Sequence, residues 1–293
     1  MPLYDPYCGP APVPSELWTS WNLDPWLISG MLLSAAAYAL AARASSTIGP
    51  REIICFTCGW LILAVLYVSP FCALTSALFS ARVAHHVIAI AIAAPLIVLG
   101  CPLLARPSAS CEKVDSAFRS NDALIQEGSI GSNPKSGFHF WVRCSRRTSN
   151  GHGVVFAVQM LTIWFWHAPA PYAAALGSHG VFWLMQASLL GTAILFWGTL
   201  PLRPAALPSL LPLLGNVAQM GLLGALITFA PAPLYEPHLG TTAAWHLSPL
   251  EDQQIAGLIM WIPAAVPYML AALLIVGASL HGPSLPRGRE GAA

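Results

Sequence analysis

The residues with the clearest capacity for chemistry in this sequence are histidines beside long apolar segments. Imidazole is a ligand for copper, zinc, iron and nickel, while thioether and thiolate sulfur favour Cu(I). Glu251 and Asp252 begin the last apolar segment, and Met260 follows eight residues after Asp252, about 12 Å along a helix. Six of the nine histidines fall on one predicted face of the membrane: His85, His86, His167, His179, His238 and His246. The pattern predicts a metal site with the ligands His86, His167, Asp252 and Met260, and with His85, His179, His238 and His246 as further candidates.

Each of these histidines also has a structural interpretation. Histidine is amphipathic and sits well at a membrane surface, as tryptophan and tyrosine do, so any single one can serve packing alone. His85 and His86 are neighbours, about 100° apart around a helix, so we expect them to face different groups. What favours a metal ion is the gathering of several histidines and an acidic residue beside hydrocarbon.

The chain that positions these residues is poor in charge. Asp, Glu, Lys and Arg make up 9% of its 293 residues, compared with about 25% in a soluble domain. Hydrophobic residues make up 56%, the mean hydropathy is +0.64 and the net charge is +1. This composition excludes an ordinary soluble enzyme, a disordered chain and a strongly basic nucleic-acid binder. We therefore expect membrane lipid, and no nucleic acid, among the partners.

Seven apolar runs are long enough, at about 20 residues, to cross a bilayer as helices. They are too continuous for barrel strands, in which polarity alternates along the chain. The segment before the first run has no Lys or Arg, so we interpret that run as a retained helix and not a cleaved signal. The predicted fold is an all-α integral membrane protein, a bundle of seven transmembrane helices at 26–43, 53–69, 84–104, 153–170, 181–200, 213–231 and 254–279.

The basic residues predict how this bundle is oriented. With the N-terminus outside and the C-terminus inside, twelve of the thirteen Lys and Arg residues lie on the inner side and only Arg82 lies outside. The six histidines and Asp252 then share the outer face. We expect disorder in the inner loop, with contact of Trp141 and its neighbours with the membrane surface as the alternative. The domains that follow are an outer tail at 1–25, a membrane domain at 26–280 with a long inner loop at 105–152, and an inner tail at 281–293.

Five of the seven cysteines allow two kinds of thiol chemistry. Cys55 and Cys58 form a C-x-x-C inside an apolar run, and Cys101 lies at the inner end of another. We interpret these three as buried apolar residues, with a thiolate cluster for Cu(I) as the alternative. Cys8 and Cys72 both fall on the outer, oxidising side, where they could pair, and the sequence leaves that pairing open.

Four blocks of the sequence carry motifs that recur together in one family of membrane proteins. They are LFSAR at 78–82 with His86, APL at 94–96 and GCP at 100–102; WFWHAP at 164–169; LFW at 195–197; and LSPLEDQQ at 247–254 followed by AGLIMWIP at 256–263. In these blocks the chain resembles the multi-spanning cytochrome c oxidase assembly proteins of the CtaG type. The resemblance covers roughly 69–102 and 164–263.

The resemblance implies assembly of a haem–copper cytochrome c oxidase in a bacterial inner (plasma) membrane, by helping copper reach the enzyme at the outer face. The implied partners are oxidase subunits and other copper chaperones, copper is bound only transiently, and no catalysis is implied. Two positions depart from the family: Arg82 stands where many members have histidine, and Met185-Gln186 where many have Glu-His. The family's polar positions map onto His86, His167, Asp252 and Met260, and its motif positions onto Pro95, Trp166, Pro169, Gln253, Gly257 and Trp261.

Two other functions stay open at the level of sequence. A membrane haem-binding protein would use His86 and His167 as axial ligands near the outer surface. A transporter or a membrane-bound metal hydrolase is the third hypothesis. A hydrolase needs an open metal position and a general base, for which Glu251 or Asp252 is available.

Overall fold

The protein consists of helices joined by irregular segments. The computed structural model describes residues 4–45, 47–101, 150–200 and 206–280, and within these ranges there is no strand. The predicted inner loop up to residue 149 and the predicted inner tail lie outside the described residues. The helices are α1 (Pro25–Ala44), α2 (Pro50–Val68), α3 (Pro70–Ala77), α4 (Phe79–Ile88), α5 (Ala94–Gly100), α6 (Asn150–His167), α7 (Pro169–Gly177), α8 (His179–Thr199), α9 (Ala206–Thr228), α10 (Pro249–Trp261) and α11 (Ala265–Leu280).

The described residues contain six segments long and apolar enough to cross a membrane. A seventh candidate is the pair of α6 and α7, which is bent by 72°. These segments confirm an all-helical, multi-pass membrane protein, with six candidate spans or seven if the bent pair is one span. The predicted orientation stays a prediction. The six segments are Pro25–Ala44, Pro50–Val68, Phe79–Gly100, His179–Thr199, Leu210–Thr228 and Pro249–Gly277.

The bend between α6 and α7 follows from one proline. Pro169 has no N–H, and its ring disfavours the helical conformation for the residue before it. Ala168 is accordingly extended, with φ −70° and ψ 138°, and α7 starts at Pro169 in a new direction. The bend leaves His167 as the last residue of α6, so its side chain lies at a helix end.

A second proline, Pro95, reshapes the third span. A π turn joins α4 to α5, and in it the N–H of Ala94 donates to the carbonyl of Ala89. In that register the carbonyl of Ile90 needs a donor at residue 95, but proline has no N–H. The indole Nε1 of Trp197 on α8 donates to this carbonyl instead, at 2.9 Å. The bond satisfies a buried backbone group and ties α8 to the third span.

The third span begins earlier than its predicted start at residue 84. Its first turn is too polar to be identified by hydropathy, yet α4 starts at Phe79. Arg82 therefore lies inside a helix, where it is only 1% exposed. The prediction that Arg82 belongs to an outer connecting segment is wrong, because the carboxylate of Asp252 accepts from the first N–H groups of α4 and so extends the helix over this segment.

One end of the bundle is closed by segments that lie outside the candidate spans. The N-terminal segment is joined to α3 by a disulfide between Cys8 and Cys72, the pairing that the sequence left open. The indole of Trp245 donates to the carbonyl of Pro12 at 3.1 Å, which joins this segment to the connection between α9 and α10. We call this the capped end; it comprises residues 4–24, α3, α7 and 229–248.

Motif residues of the last sequence block join α9 to α10. The side chain of Gln253 accepts from the N–H of Leu234 at 2.7 Å and donates to the carbonyl of Ile227 at 3.1 Å. Gly257 lies so close to α9 that a Cβ there would come within 2.5 Å of the carbonyl oxygen of Gly224. Small residues at such a contact let the two backbones approach closely.

Two tryptophans of the predicted motifs also lie between helices. Nε1 of Trp166 on α6 donates to Oγ of Ser188 on α8, at 2.8 Å. Trp261 on α10 faces Gly221 of α9, where an added Cβ would come within 3.6 Å of its indole nitrogen. These contacts fix the helices around the site described next.

Candidate functional site

Three predicted ligand residues meet in the core of the bundle. His85 and His86 lie on α4 and His167 ends α6, with exposed fractions of 1%, 4% and 6%. The ring centres of His86 and His167 are 6.0 Å apart, and those of His85 and His86 are 5.8 Å apart. We call these three residues the histidine cluster. As expected for adjacent residues, His85 faces elsewhere as well, towards the ring of Tyr67 on α2 at 4.9 Å.

The hydrogen bonding of the cluster leaves nitrogen atoms available. No ring nitrogen of His85 or His86 makes a hydrogen bond of ordinary length and angle, although the backbone of Leu66 lies near His85 and the side chain of Gln186 lies near His86. An unpaired buried polar atom is costly, so such atoms call for an explanation such as a bound ion. Nδ1 of His167 lies 2.7 Å from the carbonyl oxygen of Ile163. With Nδ1 as the donor, Nε2 carries the lone pair, which is the arrangement that orients metal-binding histidines.

The spacing of the cluster fits a metal ion between two rings. A metal-bound imidazole nitrogen lies about 2.0 Å from the ion, so two ring centres in a linear arrangement are about 6.2 Å apart. The separation of 6.0 Å between His86 and His167 is within that limit. Among the described residues, however, no three His, Cys, Asp or Glu side chains come together as a set of ligands.

Asp252 holds the start of α4. Its Oδ2 accepts from the N–H of Phe79 at 2.7 Å, and its Oδ1 accepts from the N–H of Ser80 at 3.2 Å and from the Ser80 hydroxyl. A carboxylate is stabilised at this position because the first N–H groups of a helix carry partial positive charge. His86 lies seven residues further along α4, about 10 Å away along the axis. Both oxygens of Asp252 are thus engaged at a distance from the histidine cluster.

Met260 and Glu251 lie on the same helix as Asp252. Met260 is 2% exposed and belongs to the hydrophobic core. Since α10 and α4 begin together, Met260, eight residues after Asp252, is at about the depth of His86. Glu251 forms a capping box with Ser248, whose N–H donates to its carboxylate at 2.8 Å.

The remaining candidate histidines lie outside the cluster. His238 is buried, with Nε2 2.6 Å from the hydroxyl of Tyr172. His179, at the start of α8, is 57% exposed and lies 3.8 Å from Asp5. His246 is exposed and has a left-handed backbone with φ 57°. The structure therefore separates these three from His86 and His167.

The three cysteines considered for a thiolate cluster do not form one. Cys55, Cys58 and Cys101 are free thiols, but the interpretation of all three as buried is wrong, because Cys58 is exposed and the other two are half-buried. Because no ligand set of three forms among the described residues, these three do not make the alternative thiolate cluster.

The family of cytochrome c oxidase caa3 assembly factors, Caa3_CtaG, matches residues 34–280, which include every helix from α2 to α11. The chain belongs to this family. No curated protein and no solved structure matches it. The family match confirms the resemblance seen in the sequence motifs, and it makes this chain an oxidase assembly factor. Such a role suggests a non-catalytic protein, associated with cytochrome c oxidase.

Three neighbours of the cluster were not selected from the sequence of this assembly factor. Arg82 precedes His86 by one helical turn, a spacing that alone signals a shared face. Tyr67 and Gln186 border His85 and His86 and also line a groove of about 390 Å³ between α1, α2 and α8. No spacing rule identifies these two, because they come from other helices.

Proposed function

We propose that this chain assembles cytochrome c oxidase by binding copper transiently between His86 and His167 and passing it to the oxidase. The observation that carries the proposal is the buried imidazole of His86, which makes no hydrogen bond of ordinary geometry, with His167 beside it. Cu(I) accepts as few as two nitrogen ligands, and imidazole suits copper. A site with so few ligands releases its metal readily, as delivery requires.

The other two predicted ligands have a weaker claim. Both oxygens of Asp252 already accept hydrogen bonds from α4. Binding copper through Asp252 would therefore break the hydrogen bonds that cap this helix. Met260 is at a suitable depth, and its thioether would favour Cu(I). In the proposal, therefore, the two histidines bind copper, and Met260 is the further candidate.

We infer that the capped end faces outward from a bacterial plasma membrane. Arg43 and Arg51 flank the connection between α1 and α2 at the opposite end, as expected for a cytoplasmic side. The Cys8–Cys72 disulfide lies at the capped end, and disulfides persist in oxidising compartments. Oxidase subunits and copper chaperones would then meet the protein at its outer face.

Copper binding by single variants tests the ligands. The purified protein is titrated with a chromophoric Cu(I) chelator, and we expect one competing Cu(I) per chain. His86→Ala and His167→Ala should each lose that competition. His179→Ala and His246→Ala are matched controls, because both residues are exposed histidines outside the cluster. Undiminished binding in both cluster variants would reject the proposed ligands.

Assembly in the cell tests the role. Deletion of the gene should lower the copper content and activity of the oxidase, and the wild-type gene should restore both. The His86→Ala gene should restore neither, although the protein reaches the membrane. An oxidase that keeps its full copper and activity after the deletion contradicts the copper-delivery role.

A haem between His86 and His167 is the competing hypothesis. A haem needs space for its macrocycle between and around its axial ligands, whereas both of these rings are almost fully buried. The packing therefore favours an ion. An absorption spectrum of the purified protein distinguishes the two, since a Soret band with one haem per chain would overturn the copper proposal.

A further inference from the structure

Arg82 carries a buried positive charge beside the histidine cluster. Its side chain is 1% exposed, and no carboxylate of the described residues lies within ion-pair distance of it. Its Nε donates to the carbonyl of Thr75 at 3.1 Å, and its guanidinium carbon lies 5.9 Å and 5.6 Å from the ring centres of Tyr172 and Phe182. These groups hold the guanidinium without neutralising it, and arginine stays protonated in proteins.

The charge of Arg82 acts directly on the cluster. On α4, Arg82 precedes His85 by three residues and His86 by four, so all three share one face of the helix. The spacing of three and four residues puts Arg82 about one helical turn from both histidines, and its burial keeps water from screening its charge. The carboxylate of Asp252 is already bound to the first N–H groups of the same helix.

We propose that Arg82 makes the histidine cluster select a monovalent metal ion over a divalent one. The proposal rests on the proposed copper site and names the class of ion that the site takes. A fixed positive charge repels a divalent cation twice as strongly as a monovalent cation at the same position. Burial in low-dielectric surroundings strengthens this repulsion, and neutral imidazoles offer no opposing charge. Cu(I) and Ag(I) then bind in preference to Zn(II).

The ratio of two affinities tests this selection. Ag(I) and Zn(II) are redox-inert probes, so the dissociation constants of both are measured on the purified full chain. In Arg82→Met, which keeps an unbranched apolar stem but removes the charge, the affinity for Zn(II) relative to that for Ag(I) should rise by about tenfold or more. Arg82→Lys keeps the charge and should keep the wild-type ratio within about threefold. If Arg82 had a purely structural role, its replacement would weaken the binding of both ions equally and leave the ratio of the two affinities unchanged.

A second variant keeps the test valid if Arg82→Met does not fold. Phe182→Glu places a carboxylate beside the intact guanidinium and should shift the ratio in the same direction. If wild type binds Ag(I) and neither variant changes the ratio, the selection by Arg82 is overturned and the histidine site stands. If Arg82→Lys shifts the ratio as Arg82→Met does, charge is not the cause and the proposal also fails. If wild type binds neither Ag(I) nor Cu(I), the proposed function itself fails.

Discussion

At the scale of single residues, the carboxylate of Asp252 stabilises the start of α4. Asp252→Asn replaces one acceptor oxygen by an amide that cannot accept from the N–H of Phe79 or Ser80. We expect the free energy of unfolding in detergent to fall by about 2 kcal/mol, because a buried backbone donor loses its partner. Binding of Cu(I) should persist, since both oxygens are engaged away from the histidine cluster.

Glu251→Gln is the matched control for this substitution. Glu251 is exposed, and glutamine keeps the capping box with Ser248, so stability should change by less than about 0.5 kcal/mol. The contrary result is an Asp252→Asn protein of normal stability that no longer binds Cu(I). That result would restore Asp252 as a ligand.

His238, at the capped end, makes the stability of the protein depend on pH. Burial, and next the charge of Arg82, lower the pKa of His238 to about 3, from an ordinary value of 6.5. Between these two pH values the unfolded chain binds a proton that the folded chain does not. Stability therefore falls as the pH falls through this window, by up to about 1.4 kcal/mol per pH unit.

His238→Gln tests this contribution. Glutamine keeps an acceptor for the hydroxyl of Tyr172 and a donor towards Ala77 but does not titrate. Melting temperatures measured from pH 7 to pH 4.5 should fall less steeply for the variant than for wild type. Equal slopes would show that folding does not lower the pKa of His238.

The histidines of the candidate site were predictable, but their neighbours were not. His86 and His167 were selected from chemistry and motif, and the structure brings them together. Asp252 caps α4 through the N–H groups of Phe79 and Ser80, which precede it by more than 170 residues. No local pattern connects such distant positions, so a carboxylate at a helix start looks like a ligand in the sequence.

At the scale of elements, α9 and α10 pack through glycines. A Cβ at Gly257 would lie 2.2 Å from Oγ1 of Thr228 and 2.5 Å from the carbonyl oxygen of Gly224. Gly257→Ala must therefore separate the helices and should lower the free energy of unfolding by about 1–3 kcal/mol. Thermal unfolding in detergent measures the change.

Gly240→Ala is the control, because a Cβ at Gly240 meets nothing within 4 Å. The two variants make the same chemical change, so only the close helix contact separates them. If both unfold at the wild-type temperature, the approach of α9 to α10 is looser than the structure describes.

Hydropathy identified most spans but misjudged where the third one begins. The runs predicted at 26–43, 53–69 and 181–200 match α1, α2 and α8 within a few residues. The third span starts five residues before its predicted start, since Ser80, Arg82 and the two histidines lower its apparent hydropathy. These same polar residues form the site, so the sequence signal for a span is weakest where the chemistry lies.

At the scale of the whole molecule, the two ends of the bundle differ in chemistry. The capped end has the disulfide and the acidic side chains of Asp24 and Glu236, while Arg43 and Arg51 lie at the opposite end. The histidine cluster lies below the capped end, about two helical turns from Asp252. A metal ion delivered from the outside would thus reach the cluster without crossing the full bilayer.

Labelling of intact cells tests this orientation. His246→Cys at the capped end and Thr47→Cys at the opposite end each introduce one exposed thiol. With the disulfide retained, a membrane-impermeant maleimide should label His246→Cys in intact cells and Thr47→Cys only after permeabilisation. The reverse pattern would place the capped end in the cytoplasm and remove the support that the disulfide gives to outer-face copper delivery. The background for both variants carries serine in place of Cys55, Cys58, Cys101, Cys111 and Cys144.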